Sequence, residues 1–129
     1  MRTRKNDTTS RQQTPAAGNT PSRSDELPHP DQIDAATAAF AMLAEPTRLR
    51  LLWLLANGER DVGTLAELTG TTPSSTSQHL AKLRLAGLVT LRTNGRHHLY
   101  TTRDTHVRRL ITEALNHADH LIAGQPDHP

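Results

Sequence analysis

Cysteine is absent from this chain of 129 residues. Its absence excludes disulfides and thiolate metal sites, and fits a cytoplasmic protein. Aromatics are almost missing too: Phe40, Trp53 and Tyr100 are the only three. The core must therefore be built from Leu, Ala, Val and Ile, and the stacking platforms of RNA recognition are not provided. No apolar run is long enough to span a membrane, so no membrane partner is expected. The basic start has no apolar segment of the signal-peptide kind. There are no internal repeats. Neither a nucleophile elbow nor an H-E-x-x-H pair occurs, which argues against an enzyme.

What is present divides the chain in three. Residues 1–30 are rich in Thr, Ser, Gln, Pro and charge and poor in large apolar side chains. Such a composition cannot bury enough surface to offset ordering entropy, so a disordered N-terminal arm is expected. Residues 31–124 carry the apolar periodicity and form one domain, and 125–129 are a short tail. The net charge of +2 says little as a total. Its distribution says more: Lys82, Arg84, Arg92, Arg96, Arg103, Arg108 and Arg109 face a single acid, Asp104, in the same stretch. A local excess of this kind suits phosphate, although a solvated face has the same look.

The periodicity predicts five helices and a hairpin. Asp31 is placed to cap a first helix with Ile33, Ala36, Phe40 and Leu43 on one face. Glu45-Pro46 opens a second, whose run Leu49, Leu51, Leu52, Trp53, Leu54, Leu55 is apolar nearly all round and should be buried. A third covers Val62 to Leu68 and stops at Gly70. Thr72 caps a fourth, with Pro73 in its first turn, Leu80, Leu83 and Thr76 on the core side, and Ala86-Gly87 at its end. Val89–Arg92 and His98–Thr101 read as strands joined by Thr93-Asn94-Gly95-Arg96, a hairpin signal. Alternation would send one of His97 and His98 inward. Asp104 caps a long fifth helix with an apolar stripe of Val107, Leu110, Ile111, Ala114, Ala118, Leu121 and Ile122, ended by Gly124. The fold class is mainly α with a β-hairpin, a winged helix-turn-helix.

The outer side of the fourth helix holds Ser74, Ser75, Ser77, Gln78 and Lys82. Serine is a mediocre helix former, and a merely soluble face favours Glu, Lys and Ala. Short polar side chains let a helix enter the major groove of double-stranded DNA, where Gln pairs bidentately with adenine and Ser accepts either partner. At the hairpin tip, Arg92, Asn94 and Arg96 can reach phosphates or the minor groove. His79 either touches phosphate or flanks the reading face.

Asp104, His106, His117 and His120 form the pattern D-x-H-x10-H-x2-H on the fifth helix. His106 and His117 lie within ~20° in azimuth but ~16 Å apart along the axis. Metal–nitrogen bonds are ~2.0–2.1 Å, so one helix cannot bring both ends to one ion. Two antiparallel copies can, with Asp104 and His106 of one chain meeting His117 and His120 of the other, twice per dimer. Three imidazoles and a carboxylate suit tetrahedral Zn(II), and a filled four-ligand shell is regulatory rather than catalytic. The plainer roles stay open: Asp104 as an N-cap, and His117 and His120 as complements to the helix C-terminus.

The stretches Leu43-Ala-Glu-Pro-Thr-Arg-Leu49, Ser77-Gln-His-Leu-Ala-Lys-Leu83, Ala86-Gly-Leu-Val89 and Gly95-Arg-His-His-Leu-Tyr100 resemble the ArsR/SmtB metal-responsive repressors over about residues 33 to 124. The resemblance implies a homodimer, joined through its N- and C-terminal helices, that binds operator DNA and is released by metal. The family's cysteine site on the third helix has no counterpart here, whereas its last-helix pattern matches Asp104, His106, His117 and His120. Some members add tail histidines and sense Ni(II) or Co(II); His128 and His29 are the candidates here. A winged-helix regulator that answers a non-metal signal is the remaining alternative.

Overall fold

The computed structural model describes residues 25–124. The chain divides into two units, Met1–Ile33 and Asp34–Pro129. Most of the arm expected at residues 1–30 lies outside the described residues, as does the tail at 125–129. The elements in order are α1 (Pro30–Leu43), α2 (Pro46–Ala56), α3 (Val62–Thr69), α4 (Pro73–Leu85), β1 (Val89–Asn94), β2 (His97–Thr102) and α5 (Thr105–Ala123). The mainly helical fold with one antiparallel hairpin is the expected class.

Local chemistry sets most boundaries. Glu45 caps α2 by accepting from Arg48 N at 2.7 Å, and Pro46 sits in the first turn, where its missing N–H costs nothing. Asp61 caps α3 through Thr64 N at 2.8 Å, and Gly70 ends it at φ 72, a conformation that favours glycine. Asp104 caps α5 through Val107 N at 3.0 Å. The start of α1 differs from expectation. The helix begins at Pro30, and it is His29 that caps it: His29 Nδ1 accepts from Asp31 N at 3.1 Å, and Gln32 Oε1 accepts from His29 N at 3.0 Å. Asp31 is thus a first-turn acid rather than the cap, a place that the helix dipole also favours.

The core joins Leu51, Leu52 and Leu55 of α2 to Leu65, Leu80, Leu83, Leu88, Val89, Val107 and Ile111. Full burial stabilises by roughly 1.5–3 kcal/mol per large aliphatic side chain, so α2, with three of them, is the centre of the domain. It is not covered all round, however. Trp53 is 42% exposed, and Leu68 of α3 is 55% exposed. A domain of this size has too few elements to clothe every side of its central helix.

Two other apolar faces depart from expectation. In α1, Ala39, Met42 and Leu43 pack on the core, while Ala36 and Phe40 are exposed. In α5 only Val107 and Ile111 are buried, and both pack on the core with the half-buried Leu115; Leu110 and Ala118 of the expected stripe are half-buried too. Val107, Ile111 and Leu115 fall at i, i+4 and i+8, one stripe of the helix. Leu121 and Ile122 stay 57% and 59% exposed, because a helix about 28 Å long outruns the core beneath it.

The hairpin register runs from Val89↔Thr102 to Asn94↔His97. The loop is therefore Gly95-Arg96, with Gly95 at φ 65 as the twist of a two-residue turn requires, and Asn94 belongs to the ladder instead of the turn. His97 and His98 are both exposed, because the strands project past the core at this end and neither face is covered. A short segment that the sequence did not announce joins β2: Arg60 pairs with Tyr100, N to O in both directions at 3.1 and 2.9 Å.

Candidate nucleic-acid interface and metal-ligand set

The turn between α3 and α4 is held by threonines. Thr72 Oγ1 accepts from Ser75 N at 3.1 Å and caps α4. Thr71 and Thr76 hydroxyls lie 2.7 Å apart, and Thr69 Oγ1 donates to Leu65 O at 2.7 Å. Thr76 is fully buried, so this contact satisfies a hydroxyl that would otherwise be costly to enclose. With the Thr69 and Thr71 hydroxyls 3.4 Å apart, it ties the end of α3 through the turn to α4. Its only trace in the sequence is the density of threonine at 69, 71, 72 and 76.

With Leu80, Leu83 and Thr76 turned inward, α4 presents Ser74, Ser77, Gln78 and Lys82 to solvent. Ser75 is half-buried. Among the described residues, no hydrogen bond or ion pair engages the side chains of Ser74, Ser77, Gln78 or Lys82, so their donors and acceptors remain available. His79 is not on this face. It is half-buried, its Nδ1 is enclosed without a hydrogen-bond partner among the described residues, and it stands 4.0 Å from Glu45 Oε1 at the start of α2. The Glu45 carboxyl is held below its usual range, first by the Arg48 N–H and to a smaller degree by His79.

In the wing, Arg96 sits in the loop and Asn94 at the strand end, both exposed. Arg92 is exposed but engaged: its Nε and Nη2 donate to the two carboxylate oxygens of Glu59 at 2.6 and 2.8 Å. Those bonds hold the Glu59 carboxyl below its usual range and push the Arg92 guanidinium further up. Nothing in the sequence linked these residues, which are 33 apart. The other basic residues of the stretch, Lys82, Arg84, Arg103, Arg108 and Arg109, are all exposed.

The metal-ligand candidates lie along α5 and its cap. Asp104, His106, His117 and His120 are exposed. One Asp104 oxygen is used by the cap and the other is free to ligate. Among the described residues of one chain, no three His, Asp or Glu side chains come together as a metal site. The donor types still fit Zn(II): a carboxylate and three imidazoles that no hydrogen bond commits elsewhere. His29 is tied to its capping role, and His128 lies outside the described residues.

A capped helix-turn-helix with an exposed polar second helix, followed by a hairpin with a two-residue loop, defines a winged-helix DNA-binding transcription regulator. Comparison with known proteins agrees and goes further. Residues 45–90 match the family model described as bacterial regulatory protein, arsR family. An HTH-type transcriptional regulator, KmtR of Mycobacterium tuberculosis, is 44% identical over 104 residues, 81% of this chain and 79% of that protein. The transcriptional regulator NmtR of the same organism is 44% identical over 88 residues, 67% of this chain and 73% of its own. Among solved structures, the homodimeric winged helix-turn-helix domain of a possible ArsR-family regulator from Mycobacterium bovis superposes with a TM-score of 0.70 at 29% identity, covering 88% of this chain and all of that one. The chain belongs to the ArsR family of transcription regulators.

Proposed function

We propose that this regulator is a metal-responsive repressor: a homodimer that grips operator DNA through α4 and the wing, and lets go when Zn(II) occupies two sites between the α5 helices. The observation that carries the reading is the set of exposed ligands spread over α5 and its cap, three imidazoles in no hydrogen bond among the described residues and the Asp104 oxygen that the cap does not use, bordering an apolar stripe that its own chain leaves open at Leu121 and Ile122. Asp104 and His106 of one chain would hold the ion with His117 and His120 of the partner subunit. When bound, Zn(II) supplies a positive centre that fixes four ligand atoms from two chains.

The chain's own residues supply the route to DNA. Val107 and Ile111 on α5 belong to the same core as Leu51, Leu52 and Leu55 on α2 and Leu80 and Leu83 on α4. A change in how two α5 helices sit together is therefore passed through close-packed side chains to the spacing of two α4 helices. The coupling is reciprocal, so operator binding must weaken metal binding by the same factor.

The test is titration of an operator-bound, fluorescently labelled duplex with Zn(II), Co(II) and Ni(II). Zn(II) should release the wild-type dimer and leave His117→Ala bound. A His117→Ala dimer that still binds operator and stays fully zinc-responsive would refute the site. Intense visible bands of the Co(II) form would indicate tetrahedral coordination; weak bands would mean a larger shell and favour Ni(II)/Co(II) with extra ligands such as His128. Release by none of the three ions would favour a non-metal signal.

A further inference from the structure

We infer that Glu59 restrains the wing's grip on DNA by holding Arg92 in a neutral pair, leaving Arg96 as the wing's phosphate-binding arginine. The inference rests on the DNA-binding role of the wing given above. Its basis is the two-point contact at 2.6 and 2.8 Å, made through the Nε and Nη2 edge of the guanidinium. Fork-to-carboxylate pairing of this kind fixes orientation as well as charge.

The pairing is built by the fold. Arg60 is locked to Tyr100 of β2, and Tyr100 is paired with Leu91 of β1. Glu59 and Arg92, the chain neighbours of Arg60 and Leu91, are thereby brought together from opposite sides of β2. Loop flexibility is not needed to explain the contact, since backbone hydrogen bonds at 3.1 and 2.9 Å hold its base. The Glu59 carboxyl is held below its usual range chiefly by the Arg92 hydrogen bonds, so it stays ionised at neutral pH.

Charge then decides the consequence. A phosphate gains from a cation that can release a condensed counterion, and an arginine already neutralised by a carboxylate contributes little of that kind. The carboxylate itself repels the backbone. Arg96, in the loop, carries no such neighbour: among the described residues it has no ion pair. Two arginines that look equivalent in sequence are therefore unequal in the fold.

The contact with phosphate is independent of sequence, so a random-sequence duplex of a few tens of base pairs serves as the probe. Its affinity for the full chain is measured by fluorescence anisotropy across a salt series for wild type, Glu59→Gln, Arg92→Gln, their double variant, Arg96→Gln and the charge-keeping Glu59→Asp. Thermal melts establish that each variant folds. Arg92→Gln alone should weaken binding about two- to threefold, because it unmasks the Glu59 carboxylate, whereas the double variant should lie within about twofold of wild type; Arg96→Gln makes the salt slope shallower by about 0.9 per protomer. Glu59→Gln should bind roughly three- to tenfold tighter with a slope steeper by about 0.9 per protomer, and the double variant should lose that gain. Glu59→Asp should resemble wild type. A several-fold loss in the double variant relative to wild type would overturn the inference, because Arg92 would then grip DNA despite Glu59. So would a gain that persists in the double variant, since it would not come from a freed Arg92. Either result leaves the DNA-binding role intact. If Arg96→Gln and Glu59→Gln both match wild type in affinity and slope, the wing does not touch DNA and both readings fall.

Discussion

Asp104 has two uses that a pair of substitutions can separate. One oxygen accepts the Val107 N–H at 3.0 Å and caps α5; the proposed second use is as a metal ligand. Asparagine caps as well as aspartate but is neutral, whereas alanine does neither. Without metal, Asp104→Asn should therefore melt within a degree or two of wild type. Asp104→Ala should lose about 1 kcal/mol, the usual worth of a cap, which in a domain of this size lowers Tm by roughly 4–8 °C. With Zn(II) at about a hundred times its dissociation constant, wild type should gain on the order of 2.7 kcal/mol per site, or at least 10 °C, by linkage. Both variants should lose most of that gain. The assay is differential scanning calorimetry with and without zinc at fixed protein concentration. A full zinc response in Asp104→Asn would refute the ligand role. Equal metal-free melting of Asp104→Ala and wild type would refute the cap.

Three further outcomes are expected. Glu45, Glu59 and Asp61 all have lowered folded pKa values, from the Arg48 N–H, the Arg92 side chain and the Thr64 N–H respectively. A depressed carboxyl stabilises above its unfolded pKa and loses that contribution as pH falls through the folded value, so Tm should drop below about pH 4; Glu45→Gln and Glu59→Gln should flatten the profile, and an unchanged Tm between pH 5 and 3 would count against it. Thr76→Val keeps the shape of a fully buried side chain but breaks its 2.7 Å contact with Thr71, which should cost about 1–2 kcal/mol in urea unfolding, with a null effect sinking the account of the turn. Ile122→Asp should weaken dimerisation at least tenfold in sedimentation analysis, since each copy would lose about 1–2 kcal/mol of burial at a side chain its own chain leaves 59% exposed; an unaltered dimer would place the interface elsewhere.

Residue order alone determined a good deal of this protein. Caps and breakers such as Glu45-Pro46, Gly70, Thr72-Pro73 and Asp104 are local devices, and the helices they bound were legible because their chemistry acts within one turn. The inward positions of α4 were equally legible, since Leu80, Leu83 and Thr76 share one face at helical period. The separation of His106 from His117 follows from helix rise, and needs no neighbours.

Tertiary structure decided which faces were covered and which charges were spent. Periodicity shows that Phe40, Trp53, Leu121 and Ile122 are apolar, but only the finite size of the core shows that they stay uncovered. Register placed Gly95-Arg96 in the loop and left Asn94 in the ladder, because hydrogen-bond pairing along the whole hairpin outweighs the local preference of an Asn-Gly pair. Glu59 and Arg92 met across 33 residues only because Arg60 adds to the edge of β2. Short-range chemistry is written in the order of residues; burial and long-range pairing depend on which parts of the chain the fold brings side by side.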